Sequence, residues 1–273
     1  MTLTRLARTA LLAVLVLTRV ASAEETARAR AASLAREGLA LLPWDDSASL
    51  ERAEELMQAA LRADPQFYQA RADRALVGLL VAAARRDEAA RLEPAEGDAL
   101  RRSGRELRDR ALDELRPLLR EHGQDAAVVR ALAVYYGLDG NAAQTARLVT
   151  QARAMGSDPW IDFAELAADL PNGSRDATVS RLAAFTASHP GLLRAHMMLV
   201  RAQLDRSRAD ESLGTLDQIL AANPRHDLAL RLKASILSPP PARVASVPAP
   251  PDVPPPRKPG LLPRKRIGDR PAH

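Results

Sequence analysis

A small set of residues recurs along the chain at fixed distances from a proline or a glycine. Four prolines are each followed five positions later by alanine, in the pairs Pro65 and Ala70, Pro159 and Ala164, Pro190 and Ala195, and Pro224 and Ala229. Small or apolar residues precede Pro65 by twelve, eight, five and four positions, at Ala53, Met57, Ala60 and Leu61. Gly123 replaces the proline in a fifth unit, which carries Ala111 twelve positions earlier. The chain is therefore divided into units that end near residues 65, 123, 159, 190 and 224.

The spacing within each unit predicts α-helices. Offsets of four, seven and eight residues place the apolar side chains on one helical face, which ends at a helix breaker. A new helix can begin just after proline, and the following alanine keeps side-chain volume small where two helices cross. Because one helix pair cannot bury its apolar face alone, successive pairs must stack. The predicted fold class is all-α, an α-solenoid of about five helix-turn-helix units in residues 24–237, with a capping helix at 225–237.

The pattern resembles the tetratricopeptide repeat family, whose unit of about 34 residues is a helix-turn-helix. The unit after Gly123 resembles the family's first helix best, with Leu132-Ala133, Tyr136 and the turn Asp139-Gly140-Asn141. Two departures from the pattern are the missing tryptophan of the first helices and Arg147, which stands where a small residue is expected. The resemblance covers residues 26–237 and implies a scaffold that binds other proteins.

The unit between residues 66 and 123 is much longer than the others. The excess falls at residues 85–105, a highly charged stretch that contains Pro94, Gly97 and Gly104. This stretch is predicted to be either an extended helix or a projecting loop. Pro117 lies inside the expected second helix and is predicted to kink it.

The two ends of the chain differ from the repeat region. Residues 1–23 combine a basic start, an apolar run and the small residues Ala21-Ser22-Ala23, which is the layout of a cleaved signal peptide. This predicts an exported protein in the periplasm of a Gram-negative bacterium, or one anchored in the inner membrane if the segment is an uncleaved helix. Residues 238–273 are proline-rich and basic, and are predicted to be a disordered tail. The tail is either a solvated linker or a segment that docks on an anionic surface.

The charge distribution and the residue types exclude several function classes. The formal net charge is +5, but the excess of basic residues lies in the two ends, so no specific nucleic-acid binding is predicted. The absence of cysteine excludes disulfides and thiolate chemistry. No phosphate-binding glycine loop, nucleophile elbow or zinc-protease motif occurs, and the five histidines are scattered and read as surface or turn residues. The prediction is a protein without catalytic residues, metal or cofactor, unless a buried cluster of ionisable groups exists.

In the tetratricopeptide family the first helix of each unit lines a concave groove that binds partner peptides or helices. The resemblance therefore implies partner-binding roles for six residues: Tyr135, Arg194, Met197, Arg201, Leu204 and Asp205. Arg194 and Arg201 are seven positions apart, hence on one helical face, where they could bind a partner carboxylate. The alternative is that both are solvated or paired with Asp205. Trp160 is expected to pack at a helix junction, and Tyr136 to pack in the core.

The leading functional hypothesis is a non-enzymatic protein-interaction scaffold of the bacterial cell envelope. The alternative is a small-ligand-binding or substrate-binding accessory protein of an envelope transport system, which a concave apolar pocket would favour.

Overall fold

A computed structural model describes residues 24–90, 92–171 and 175–237 of the chain, and these residues are all-helical, with no β-strand among them. The prediction of an all-α fold is confirmed. The predicted signal peptide at 1–23 and the predicted tail at 238–273 lie outside the described residues. None of the described helices is long and apolar enough to cross a membrane.

The described helices follow one another with short turns between them. In chain order they are α1 (24–39), the short 3-10 helix η1 (Leu42–Trp44), α2 (Ser47–Ala63), α3 (Tyr68–Ala89), α4 (Pro94–His122), α5 (Ala126–Leu138), α6 (Ala142–Met155), α7 (Pro159–Asp169), α8 (Arg175–Ser188), α9 (Leu193–Leu204), α10 (Ala209–Ala222) and α11 (Asp227–Leu237).

Short polar residues begin several of these helices. Asp46 precedes α2 and its carboxylate accepts a hydrogen bond from the Ser49 amide at 2.9 Å, while Asp158 accepts one from the Trp160 amide at the start of α7. Such caps satisfy amides that have no partner inside the helix. The recurring prolines lie in the turns or, for Pro159, at the first helical position. Helix boundaries therefore follow from residues close by in the sequence.

The recurring alanines lie in the core. Ala70, Ala164, Ala195 and Ala229 have no exposed surface. Ala164 of α7 lies at a close crossing with α5, because a Cβ added to Gly137 would be 2.4 Å from the Ala164 carbonyl oxygen. Small residues at such positions allow two helix backbones to touch.

Neighbouring helices pack against each other along the chain, and α3, α5 and α7 also pack on one another in turn. Elements that are distant in the sequence also pack together, since η1 contacts α9. The C-terminal helices α9, α10 and α11 have an apolar core of their own, around Leu193, Met197 and Val200, against which Ala84 of α3 also packs.

The long unit extends two helices rather than forming a loop. Helices α3 and α4 have 22 and 29 residues, and α4 begins five positions after α3 ends. Glycines let the extended parts approach closely, because a Cβ on Gly97 would be 2.7 Å from the Ala89 carbonyl oxygen and one on Gly104 would be 3.2 Å from that of Ala82. The extended-helix alternative for residues 85–105 is the one that the structure shows. Pro117 lies inside α4 without ending the helix.

Candidate partner-binding cleft and a buried ion cluster

A cavity of about 180 Å³ lies between α3, α4 and α5, and we call it the α3–α4 pocket. Its apolar wall is formed by Leu79, Ala82, Ala83, Tyr135 and Leu138. Its remaining lining residues are Gly104 and four arginines: Arg86, Arg101, Arg105 and Arg108. None of the described residues that line this pocket is acidic, so the pocket has apolar walls and a positive charge.

Two further cavities share lining residues with this pocket or with each other. One of about 540 Å³ shares Arg86 and Leu138 with it, and is also lined by residues at the end of α7 and on α9. The other, of about 210 Å³, shares Arg201 and Asp205 with the second cavity and extends to Leu228 and Leu232 of α11. We call the three cavities together the cleft. Its walls come from α3, α5, α7, α9 and α11, with α4 at one end and Thr178 of α8 also in the lining.

The arginines of the cleft differ in their partners. Arg86 is exposed and donates a hydrogen bond to the Leu138 carbonyl oxygen at 3.0 Å. Arg101 pairs with Asp98 at 2.7 Å, and Arg108 pairs with Asp139 at 2.8 Å. Arg105 makes no hydrogen bond or ion pair with any described residue. Two of the four cations of the α3–α4 pocket are thus without a carboxylate partner in the described part of the chain.

The electrostatic surroundings of Arg86 are unfavourable for a cation. Loss of surrounding water lowers the pKa of its guanidinium. The negative charge of Asp87 raises this pKa, and the positive charges of Arg201, Arg194 and Arg108 lower it further. Repulsion between cations that face one cleft decreases when an anion binds between them. The arrangement therefore favours an anionic ligand or partner.

A buried ion cluster lies beside the cleft, where α9 meets α3 and the turn before α2. The guanidinium of Arg194 is 2 % exposed and lies between two carboxylates. Its Nη1 is 3.3 Å from Asp45 Oδ2, and its Nη2 donates to Asp87. Arg201, on the next turns of α9, donates to the other oxygen of Asp87 at 3.0 Å. Two arginines of α9 are thus held by one carboxylate of the extended α3.

Asp45 is the most strongly perturbed acid of this cluster. Burial raises its pKa to about 7, Arg194 lowers it, and the negative charge of Asp87 raises it. Neither of its carboxylate oxygens accepts a hydrogen bond from a described residue. The buried His226 has its Nε2 3.9 Å away, and burial lowers the pKa of that imidazole. The Nδ1 of His226 accepts a hydrogen bond from the Ala229 amide at 3.2 Å, so this histidine is a helix cap rather than a surface residue.

The cluster is enclosed by protein. Asp45, Arg194 and His226 line none of the three cavities of the cleft, and only Asp87 reaches one of them. Among the described residues no group of three potential metal ligands occurs. The distances support a structural role for the cluster, which joins three distant parts of the chain.

Five of the six predicted partner-binding residues line the cleft, but two of them, Met197 and Tyr135, are buried, with 2 % and 8 % of their surface exposed. Met197, Arg201, Leu204 and Asp205 line the third cavity, and Tyr135 lines the α3–α4 pocket. Arg194 is placed differently, since it is buried in the ion cluster and is neither solvated nor paired with Asp205. The reason is that the extended α3 inserts Asp87 beside α9.

The two aromatic residues near these positions pack in the interior. Trp160 lies at the start of α7 and packs edge to face on Phe163, with 5.6 Å between the ring centroids. Tyr136 is partly buried against the core, beside Tyr135. Neither ring lines the cleft.

Sequence reasoning missed the cations that α4 contributes and the carboxylates of the cluster. The many charged residues at 85–105 are evident in the sequence, but the partners of these charges depend on which helices meet in space. Asp46 caps α2, as a short acidic residue before a helix commonly does, whereas Asp45 is buried in the cluster.

Comparison of the chain with protein-family models, with curated proteins and with solved structures finds no match.

Proposed function

We propose that the protein is a non-enzymatic interaction scaffold of the bacterial cell envelope, which binds a peptide or helix of a partner protein in the cleft. The observation that carries the proposal is the common location of Tyr135, Met197, Arg201, Leu204 and Asp205. The tetratricopeptide resemblance implies that these residues face a groove, and each of them lines one of three cavities that share lining residues.

The arrangement of the helices supports a solenoid of the tetratricopeptide type. The cleft is lined by α3, α5, α7 and α9, which are the first helices of four successive units under the repeat assignment, by the capping helix α11, and also by residues of the second helices α4 and α8. Exposed side chains on such a shared surface can contact an extended partner over several units.

The chemistry of the cleft favours an acidic partner segment. Arg86 and Arg105 have no carboxylate partner among the described residues, and Arg201 is 42 % exposed. Guanidinium groups bind carboxylates through paired hydrogen bonds, and a positive cleft also increases the association rate of a negative segment. The location in the envelope rests on residues 1–23, and a reporter fused to this segment that is active only after export tests it.

Site-specific photo-crosslinking in the native host tests the cleft as the binding surface. A photo-reactive residue replaces Asp205, which is exposed, lines two of the cavities and has no ion pair with a described residue. The matched control replaces Glu51, an exposed acid of α2 outside the cleft. A discrete protein adduct from position 205 and none from position 51 supports the proposal. Equal adducts from both positions, or none from position 205, contradict it.

A second function is favoured by the apolar wall of the α3–α4 pocket. A concave pocket with apolar walls and a few charged groups is typical of small-molecule sites. Under this alternative the protein is a ligand-binding accessory of an envelope transport system, and its ligand stabilises the fold against heat.

A further inference from the structure

The size of the α3–α4 pocket limits what it can hold. Its volume of about 180 Å³ is close to that of an engineered apolar cavity of about 150 Å³ that holds benzene. One six-membered ring or a branched alkyl group of similar size therefore fits. The walls that such a group would contact are the side chains of Leu79, Ala82, Ala83 and Leu138 and the ring of Tyr135.

The charges at the same pocket favour a negatively charged ligand. Arg86, Arg101, Arg105 and Arg108 all line it, and no described lining residue is acidic. Arg105 is exposed and has no hydrogen bond or ion pair with described residues, and the Nε of Arg108 is buried without a hydrogen-bond partner there. A carboxylate can accept two parallel hydrogen bonds from one guanidinium, so these groups are suited to bind it.

The pocket exists because α3 and α4 are longer than the other helices. Gly104 lies in its lining. A Cβ added to Gly104 would be only 3.2 Å from the Ala82 carbonyl oxygen, so the missing side chain lets α4 approach α3 closely. This approach brings the arginines of α4 to the same opening as the apolar residues of α3. The pocket is therefore a feature of the extension and not of the repeated helix pair.

We propose that the α3–α4 pocket binds a small organic monocarboxylate, with its ring or branched alkyl body against the apolar wall and its carboxylate between Arg86, Arg105 and Arg108. This inference rests on the ligand-binding alternative given above. It shares Arg86, Arg105 and Tyr135 with the proposed partner-binding cleft but not the positions on α9, so the photo-crosslink at position 205 can fail while the titrations below succeed, and the reverse.

Calorimetric titration of the full chain tests this site with three probes: 3-phenylpropanoate, its neutral amide 3-phenylpropanamide, and propanoate, which has the charge but not the ring. We expect 3-phenylpropanoate to bind roughly tenfold or more tightly than either of the other two, because each lacks one half of the recognition. Equal affinity for the acid and the amide, or no binding of any probe, would overturn the proposal.

Two arginine variants of α4 locate the binding. Arg105→Gln removes an exposed cation of the pocket and should weaken 3-phenylpropanoate binding roughly tenfold, as expected for one charge-assisted pair. Arg110→Gln removes an equally exposed cation of α4 that does not line the pocket, and should leave the affinity unchanged. Equal effects of the two variants would place the ligand elsewhere.

A third variant and a peptide probe separate the remaining outcomes. Ala82→Leu partly fills the pocket and should abolish binding, while thermal unfolding shows that the variant is folded. An acetylated dipeptide with a C-terminal phenylalanine presents the same ring and carboxylate on a peptide. If this peptide binds and 3-phenylpropanoate does not, the small-ligand proposal is wrong and the pocket accepts the end of a partner chain.

Discussion

Arg194 is the residue whose surroundings most determine the stability of the fold. It is almost fully buried and compensates two carboxylates, Asp45 and Asp87. Removing one member of a buried ion cluster leaves charges that neither water nor a partner stabilises. Arg201 also pairs with Asp87, but it is 42 % exposed, so water can replace much of what it contributes.

We therefore expect Arg194→Met to lower the free energy of unfolding by about 3–5 kcal/mol at pH values above the pKa of Asp45, because the ionised Asp45 then loses its cation and Asp87 keeps only the partly exposed Arg201. Arg201→Met, the matched control on the same helix, should lower it by about 1 kcal/mol or less. Urea unfolding monitored by circular dichroism gives both values. Equal losses in the two variants would show that the buried cluster contributes no more than an exposed pair.

The protonation of Asp45 makes stability depend on pH. The folded state keeps the proton up to the raised pKa of about 7, whereas the unfolded state releases it near 3.8, so the contribution of this residue to stability decreases as pH rises between these values. Asp45→Asn keeps the shape of the neutral acid, and asparagine tolerates the φ of 52° found there. The variant should gain stability relative to the wild type between about pH 4.5 and pH 7.5. Urea unfolding at both pH values measures this difference.

The other titrating groups contribute to the stability of the wild type and of Asp45→Asn alike, so their contributions cancel in the difference between the two proteins. Burial also raises the pKa of Asp73, to about 6, although Arg130 lowers it. The contribution of Asp73 to stability therefore also decreases as pH rises, and it does so equally in both proteins. Identical pH profiles for the wild type and Asp45→Asn would mean that Asp45 is already ionised throughout this range.

The crossing of α5 and α7 shows how a single position controls the packing of two helices. A Cβ at Gly137 would lie 2.4 Å from a backbone oxygen of α7, which cannot move without shifting that helix. We expect Gly137→Ala to destabilise the protein by about 1–3 kcal/mol through overpacking, which exceeds the gain in helix propensity. Thermal unfolding of the variant measures the effect.

Gly214 provides the control for this crossing. It lies in α10, is exposed, and has no atom within 4 Å of an added Cβ. Gly214→Ala should therefore stabilise the protein by about 0.5–1 kcal/mol through helix propensity and reduced freedom of the unfolded chain. A change of the same sign in both variants would contradict the close crossing.

Helices were predictable from the sequence because their limits depend on near neighbours. Asp46 caps α2 through an amide three positions away, and the recurring prolines end or begin helices locally. The common face of Arg194 and Arg201 on α9 was also predictable, since helical periodicity fixes which side chains lie on the same side of a helix. The pairing of Arg194 with Asp87, 107 positions apart, was not, because it depends on where the extended α3 meets α9.

At the scale of the whole molecule, the residues that begin α2 contact residues at the junction of α10 and α11. Asp46 accepts a hydrogen bond from Asn223 at 2.8 Å, and Ser47 donates one to Asp227 at 2.9 Å. Asp45 lies close to Arg194 in the same region. An open array has only nearest-neighbour contacts, and its ends can unfold independently. Contacts between the two ends instead couple the local stability of distant helices.

Asp87 is the residue through which this coupling can be tested, because it holds both arginines of α9 while Arg194 also contacts Asp45. We expect Asp87→Asn to accelerate amide exchange in α9 and in residues 42–47 together, by about tenfold or more, because Arg194 loses one of its two buried carboxylates. Hydrogen-exchange mass spectrometry of the full chain measures both segments. Asp98→Asn, which removes an exposed pair with Arg101 inside α4, should leave both segments unchanged. Acceleration confined to α3 would show that the two ends are stabilised independently of each other.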